Sequence, residues 1–314
     1  MKRIITLSIL FLLFGSFGLA AADDAGFISI FNGKDLAGWK HQGGFEVVDG
    51  ILITRGSGGK DLFTEKSYGN YILRLEFMLS GVGNSGVQIR TNPDSSGQGG
   101  FEVQLLAPWT PHRDDLHCTA SIYGHVAVTN RPDETTGRWY RMEIKCDRKD
   151  ITISVDDKVC THGNMDSVES LKSKNLSGAI GLQFNHAEKE GQWVKFRNLS
   201  IRDLDSEPDY VIKGFTDNDP RIRQSAQDAA VKLGPAVVGR LAGLMSSDNP
   251  MVFSGAKQAL FDITAAATAP DAAEGSKEAL ITVIQEHVGS FPSGGLKSGI
   301  TRDYLIWLLG MLKK

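Results

Sequence analysis

The segment Gly81–Arg90, "GVGNSGVQIR", follows a strand-like stretch and opens with the spacing G-x-G-x-x-G. Between a strand and a helix, this spacing forms the turn that holds a dinucleotide, because the helix N-terminus faces the pyrophosphate. Here Gly86 is followed by "VQIR" and then by the turn-rich "TNPDSSGQGG", so no helix begins at this point. The match to the nucleotide motif is therefore accidental, and the glycines predict a tight connection between two strands.

The alternation of apolar and polar residues extends on both sides of this segment, from Phe27 to about Leu204. In "YILRLEF" the residues Tyr71, Leu73 and Leu75 share one face, and "FEVQLL", "YRMEIKC", "ITISV" and "AIGLQF" continue the pattern. Short alternating strands joined by Gly, Asn and Asp turns are typical of antiparallel sandwiches and jelly rolls. We predict a mostly β chain of this kind, followed by a small all-α region.

The helical region begins near Pro208, where the sequence becomes rich in alanine. Two segments, 218–234 and 248–264, each place a proline before a helical pattern, and Pro220 and Pro250 are 30 positions apart. This echo indicates either a HEAT-type repeat or an ordinary helical bundle, and both interpretations stay open. We predict a signal peptide at 1–22, a sandwich at 23–206 and a helical domain at 207–314.

The N-terminus has the features of an export signal. Lys2 and Arg3 precede an apolar run, and Ala20 and Ala22 fit an A-x-A cleavage site, which predicts a periplasmic or secreted protein. A membrane anchor is the alternative, although the run is short for a span. The formal net charge of −3 does not indicate a nucleic-acid surface. Three cysteines allow one disulfide, whose pairing the sequence does not determine.

Polar side chains collect on the predicted outer face of the sandwich. By alternation, the residues that share this face are Gln88, Arg90, Glu102, Gln104, Gln183 and Asn185, with Asn84 at the rim. A solvated sheet face is the plain explanation. Amides and an arginine fork also suit the hydroxyls of a sugar, and Trp109, Tyr123 and Trp193 are candidates to stack on sugar rings.

Five motifs in order carry a family resemblance. "FNGKDLAGWK", "GNSGVQIR", "FEVQLL", "ASIYG" and "GAIGLQFNH…VKFRNLSI" together resemble the 3-keto-disaccharide hydrolase domain. The resemblance covers roughly residues 27–204 and none of the helical tail. It implies a concanavalin-like jelly roll, which agrees with the strand pattern.

The resemblance also implies a reaction, the cleavage of glycosides oxidised to a ketone at sugar C3. Such chemistry needs a base for the C2 proton, donors for the enolate oxygen and an acid for the leaving group. From side-chain chemistry we assign the acid/base roles to Glu102 and His186. Arg90, with Asn84 or Gln104, is expected to hold the ketone oxygen. Gln183 and Tyr123 are expected to orient hydroxyls.

Three classes of function follow. The first is an exported 3-keto-glycoside hydrolase, the second a non-catalytic glycan-binding module, and the third a scaffold whose helices bind a protein partner. No cofactor is predicted. "HRDDLHC", residues 112–118, leaves a divalent metal open as an alternative to a polar surface loop.

Overall fold

The computed structural model describes residues 25–40, 43–54, 59–95, 99–110, 113–184, 191–292 and 294–313. The predicted signal peptide and His186 lie outside these residues, so neither prediction is tested by the fold. In the described ranges, no helix is both long and apolar enough to cross a membrane.

The first part of the chain is built from short strands. Among the described residues they are β1 (Ile28–Ser29), β2 (Trp39–Lys40), β3 (Phe45–Val48), β4 (Ile51–Thr54), β5 (Leu62–Tyr68), β6 (Tyr71–Leu79), β7 (Asn84–Thr91), β8 (Phe101–Leu106), β9 (Tyr140–Asp147), β10 (Asp150–Val155), β11 (Lys158–Asn164), β12 (Gly178–Leu182) and β13 (Val194–Asp203).

These strands form two antiparallel sheets that share one hydrophobic core. The larger sheet has the order β11-β10-β9-β6-β13-β4-β3, with β1 beside β13, and the smaller has the order β2-β5-β12-β7-β8. Side chains alternate across each strand, so one face of each sheet supplies the core. Leu73 and Phe77 of β6 pack there with Val87 of β7 and Val103 of β8. The predicted jelly-roll sandwich is confirmed.

The glycine-rich segment joins β6 to β7, as the sequence predicts. Gly81 and Gly83 lie in the connection, where the Gly83 amide donates to the Ser80 carbonyl (3.0 Å), and Gly86 is inside β7. Val87 and Ile89 are both fully buried in the core. The turn "VDDKV" likewise joins β10 to β11, with Asp156 and Asp157 in the left-handed conformation that tight hairpins require.

The C-terminal part is helical. Its helices in the described residues are α1 (Pro208–Gly214), α2 (Pro220–Leu233), α3 (Val238–Leu244), α4 (Pro250–Ala267), α5 (Ser276–Val288) and α6 (Leu296–Leu312). Helices α2 and α4 begin alike, because Asp219 and Asn249 each cap a helix whose first residue is proline. The HEAT-type identity of this region stays a prediction.

Polar contacts join the helices to the sandwich. The Tyr210 hydroxyl donates to Asp147 Oδ1 (2.7 Å), and the Arg148 guanidinium lies 5.3 Å from the centre of the Tyr210 ring. Arg221 Nη1 donates to the Lys172 carbonyl (3.0 Å). The strands end at Asp203 and the helices begin at Pro208, and whether the two parts fold independently stays a prediction.

Candidate active site

The candidate site lies on the face of the smaller sheet that points away from the core. Strands β7 and β8 pair so that Gln88 lies opposite Glu102 and Gly86 opposite Gln104. Because Phe101, Val103 and Leu105 point into the core, the residues that alternate with them, Glu102 and Gln104, point outward. Gln183 follows β12, and its backbone N–H donates to the Gly86 carbonyl (2.9 Å). This bond brings a third polar side chain to the same part of the sheet.

Glu102 is at the centre of this group. Its Oε2 accepts a hydrogen bond from Gln183 Nε2 (2.9 Å). The side-chain amide of Gln104 is oriented so that its nitrogen donates hydrogen bonds to Glu102 Oε1 (2.9 Å) and to the Ser85 carbonyl (2.8 Å). A Cβ atom at Gly86 would overlap the Glu102 carboxyl group, so this glycine leaves the space that the carboxyl occupies.

The environment of Glu102 keeps it protonated at neutral pH. Burial is the largest cause and the negative charge of Asp61 the second, and together they raise the pKa of Glu102 to about 8 against the opposing hydrogen bond from Gln183. A carboxyl group that retains its proton at pH 7 can act as a general acid.

Asp61 is a member of the site that the sequence did not reveal. Its Oδ2 accepts from Gln88 Nε2 (2.5 Å) and its Oδ1 accepts from the Phe184 amide (2.8 Å). The alternation of β5 could have identified it. Leu62 and Thr64 are buried, so Asp61, which precedes Leu62, belongs to the face that points away from the core. The polar run "TEKS" hid that alternation, since it makes β5 look like a loop.

Two further predicted residues border Glu102. The terminal side-chain atoms of Asn84 and Gln104 are 3.3 Å apart, so Asn84 adjoins the amide group. Tyr123 lies on a short segment beside β8, where its amide donates to the Glu102 carbonyl (2.9 Å). Tyr123 is 45% exposed, and its ring meets the His117 ring edge-on, with the ring centres 4.8 Å apart. The structure thus brings the side chains of Asn84, Glu102, Gln104 and Gln183 together, and it places the Tyr123 backbone beside that of Glu102.

Arg90 is not part of this group, and the expectation that it faces the site is wrong. Register shifts between β7 and β12, because Ala179 pairs with Thr91 but Gly181 pairs with Gln88. The extra residue forms a bulge, and Arg90 adopts a left-handed backbone with φ of 54°. Its fully buried side chain donates to the Gly69 carbonyl from Nε (3.1 Å) and Nη2 (2.9 Å).

The remaining predicted residues lie elsewhere. His186 and Asn185 are outside the described residues. Trp109 is 78% exposed, and Trp193 has the Lys195 ammonium 4.3 Å from the centre of its ring. In the 112–118 segment, His112 lies outside the described residues and His117 Nδ1 lies 2.7 Å from Asp114 Oδ1. No group of three metal-binding side chains occurs in the described ranges. The three cysteines are buried and unpaired.

The outer face of the jelly roll thus carries a buried carboxyl beside four amide side chains. The comparisons with known proteins indicate a glycosyl hydrolase-like domain. The chain belongs to the family of 3-keto-alpha-glucoside-1,2-lyase-like domains, whose model matches residues 26–202. The predicted family is confirmed, and the match ends before the first helix.

Two relatives illustrate the similarity. A Bacteroides thetaiotaomicron protein named 3-keto-disaccharide hydrolase is 24% identical over 237 residues, which cover 58% of this chain and 80% of the relative. The crystal structure of a putative glycosyl hydrolase from Parabacteroides distasonis is 21% identical, with a TM-score of 0.50 over 56% of this chain and 98% of that one. The second likeness shows the fold alone.

Proposed function

We propose that this protein is an exported hydrolase of 3-keto-glycosides, in which Glu102 donates the proton that the leaving oxygen takes up. The observation that carries the proposal is the position of the Glu102 carboxyl, which is buried among amide side chains, and this burial together with the charge of Asp61 raises its pKa to about 8. The matched family and the name of the Bacteroides relative support a keto-sugar substrate.

In the proposed reaction, the ketone at C3 acidifies the proton on C2. A base removes that proton, the bond from C1 to the glycosidic oxygen breaks, and the departing oxygen takes the Glu102 proton. Water then adds its oxygen to C1 of the enone and gives one proton to the Glu102 carboxylate, while the base returns the first proton to C2. The sum is hydrolysis, and both groups end in their starting states.

The side chains around Glu102 suggest how a sugar is held. We assign to Asn84 the donation to the ketone oxygen, and to Gln183 and Tyr123 the binding of hydroxyls. Both side-chain N–H groups of Gln104 are used, because they donate to Glu102 and to the Ser85 carbonyl, so Gln104 positions the carboxyl instead. His186 stays the proposed base because an imidazole can accept a proton near pH 7 and because it follows Phe184, which is bonded to Asp61, by two positions. Arg90 has no role in this scheme.

Export rests on the N-terminal sequence, in which Lys2 and Arg3, an apolar run and Ala22 have the order of a signal peptide. We therefore place the reaction in the periplasm or outside the cell.

The proposal is tested by incubating the purified protein with 3-keto-trehalose and, separately, with trehalose. We expect 3-ketoglucose to be released from the oxidised sugar alone, and Glu102→Gln to reduce turnover more than binding. Binding of the keto-sugar without release would instead identify a glycan-binding module. Hydrolysis of unmodified trehalose would contradict the keto-sugar specificity.

A further inference from the structure

The helical region contains an open groove of about 590 Å³ between α4 and α6. Its apolar lining is entirely aromatic, from Phe253, Phe261, Tyr304 and Trp307. Its polar lining comes from Ser254, Lys257 and Gln258 of α4. Among the described residues, no aliphatic side chain lines the groove.

Three of the rings form a nearly parallel row. Trp307 is in the middle. The centre of its ring is 6.2 Å from that of Phe261 and 5.4 Å from that of Tyr304, and the angles between the ring planes are 18° and 21°. Parallel rings in van der Waals contact are about 3.5–4.0 Å apart, so separations this long mean that the rings are offset. The neighbouring rings therefore do not cover one another's faces completely, and Trp307 is 49% exposed.

The contacts around the groove include one cation and one anion. The Lys257 ammonium lies 5.1 Å from the centre of the Tyr304 ring, and Gln258 Nε2 donates to Asp262 Oδ1 (2.9 Å). Burial, and then the negative charge of Asp262, raises the pKa of Tyr304 to about 12, which places that charge near the ring. One cation and one anion beside the aromatic row suit a ligand without net charge.

We propose that this groove binds an uncharged glycan chain. The C–H faces of a pyranose are flat and apolar and match exposed aromatic ring faces, while Ser254, Lys257 and Gln258 supply donors and acceptors for hydroxyls. Exposed aliphatic side chains such as Leu296 and Ile300 lie on α6 but do not line the groove. The proposal is independent of the reaction at Glu102, because it concerns binding alone.

The test uses the full-length protein in native gels cast with soluble polysaccharide. The neutral probes are dextran, laminarin and galactomannan, and polygalacturonate is the acidic comparison. We expect retardation by at least one neutral probe and none by polygalacturonate, with the dissociation constant then measured by calorimetry. Trp307→Ala should weaken binding about tenfold or more, since a central aromatic side chain is removed.

Ile306→Ala is the matched control, because Ile306 is the adjacent residue of α6, is 42% exposed and lies outside the groove lining. It should bind as the wild type does. Gln258→Ala is a second groove variant. Because Gln258 is at an exposed position of α4, this substitution is expected to leave the fold intact, and it should also weaken binding. The proposal is overturned if no neutral probe retards the protein, or if both groove variants bind normally, which would place binding on the sandwich. Concentration-dependent dimerisation lost in Trp307→Ala would also overturn it, since a second copy would then occupy the groove.

Discussion

The carboxyl group of Glu102 occupies the space in which a side chain at Gly86 would lie. The two residues are diagonal neighbours on adjacent strands, because Gly86 pairs with Gln104 and Glu102 pairs with Gln88. A glycine inside a strand normally weakens it, and here it marks a close approach. The third glycine of the apparent nucleotide motif thus makes room for an acid.

Gly86→Ala is therefore expected to displace the Glu102 carboxyl and reduce kcat/KM by roughly a hundredfold, since small misplacements of a reacting group have effects of that size. It should also destabilise the fold by about 1–3 kcal/mol through overpacking. Steady-state kinetics on 3-keto-trehalose and urea unfolding would measure both effects. Gly81→Ala is the control, because a Cβ there would meet no atom closer than 3.6 Å. Full activity of Gly86→Ala would show that the position of this carboxyl does not matter.

Glu102→Gln is expected to make the protein more stable at alkaline pH. In the folded protein the carboxyl keeps its proton up to about pH 8, whereas its ordinary pKa is 4.5. The folded state thus binds more protons between these values, so the free energy of unfolding falls as pH rises from 4.5 to 8. Glutamine has no proton to lose, and the gain at pH 9 should be on the order of a few kcal/mol.

Urea unfolding of the wild type and Glu102→Gln at pH 4 and pH 9 would measure this difference. At pH 4 the ionisation of Glu102 should contribute little to the difference in unfolding free energy between the two proteins, because the carboxyl is mostly protonated in both the folded and unfolded states. An equal difference at both pH values would show that the pKa of Glu102 is not raised.

Asp61→Asn should shift the alkaline limb of the activity profile to lower pH. The negative charge of Asp61 is one cause of the raised pKa of Glu102, so its removal lets Glu102 ionise earlier. If the protonated form is the active one, the midpoint of the decline should fall by roughly one pH unit. Asp94→Asn, at an exposed carboxylate, is the control and should keep the wild-type profile. A Glu102 that acts only as a base would instead gain activity at low pH in the Asp61 variant.

Arg90→Met is expected to reduce stability and leave KM unchanged. The guanidinium is buried and donates twice to the Gly69 carbonyl, so its loss leaves an unsatisfied acceptor at a cost of about 1–3 kcal/mol. Chemical unfolding and substrate titration at a temperature where the variant is folded would separate the two properties. A tenfold rise in KM at unchanged stability would restore the expectation that Arg90 contacts the sugar.

A fragment that ends at Ser206 is expected to fold and to keep the activity of the sandwich. It retains β13 and Asp205, whose Oδ2 accepts from the Asn70 amide (3.0 Å). It loses the Tyr210 bond to Asp147, so it should melt at a lower temperature than the whole chain. Circular dichroism and the keto-sugar assay would test this, and an unfolded fragment would show that the helices are required for folding.

The sequence by itself determined the architecture. Alternation in segments such as "YILRLEF" depends only on which residues are apolar, and burial follows because apolar side chains leave water whatever their exact neighbours. The same pattern, together with the missing helix after Gly86, was enough to reject the nucleotide motif and to bring Glu102, Gln104 and Gln183 to one face.

Only the tertiary structure decided which side of the sheet each charged group occupies and how it ionises. Arg90 points to the core because the pairing of β7 with β12 contains an extra residue. Such a bulge depends on how two distant strands pair, as Thr91 does with Ala179, which lies 88 positions further along the chain. The sequence of either strand alone does not specify it. Asp61 reaches the site through bonds to Gln88 and Phe184, which lie on other segments. The pKa of Glu102 likewise follows from burial and from that distant charge, because the free energy of an ionised group depends on what surrounds it in space.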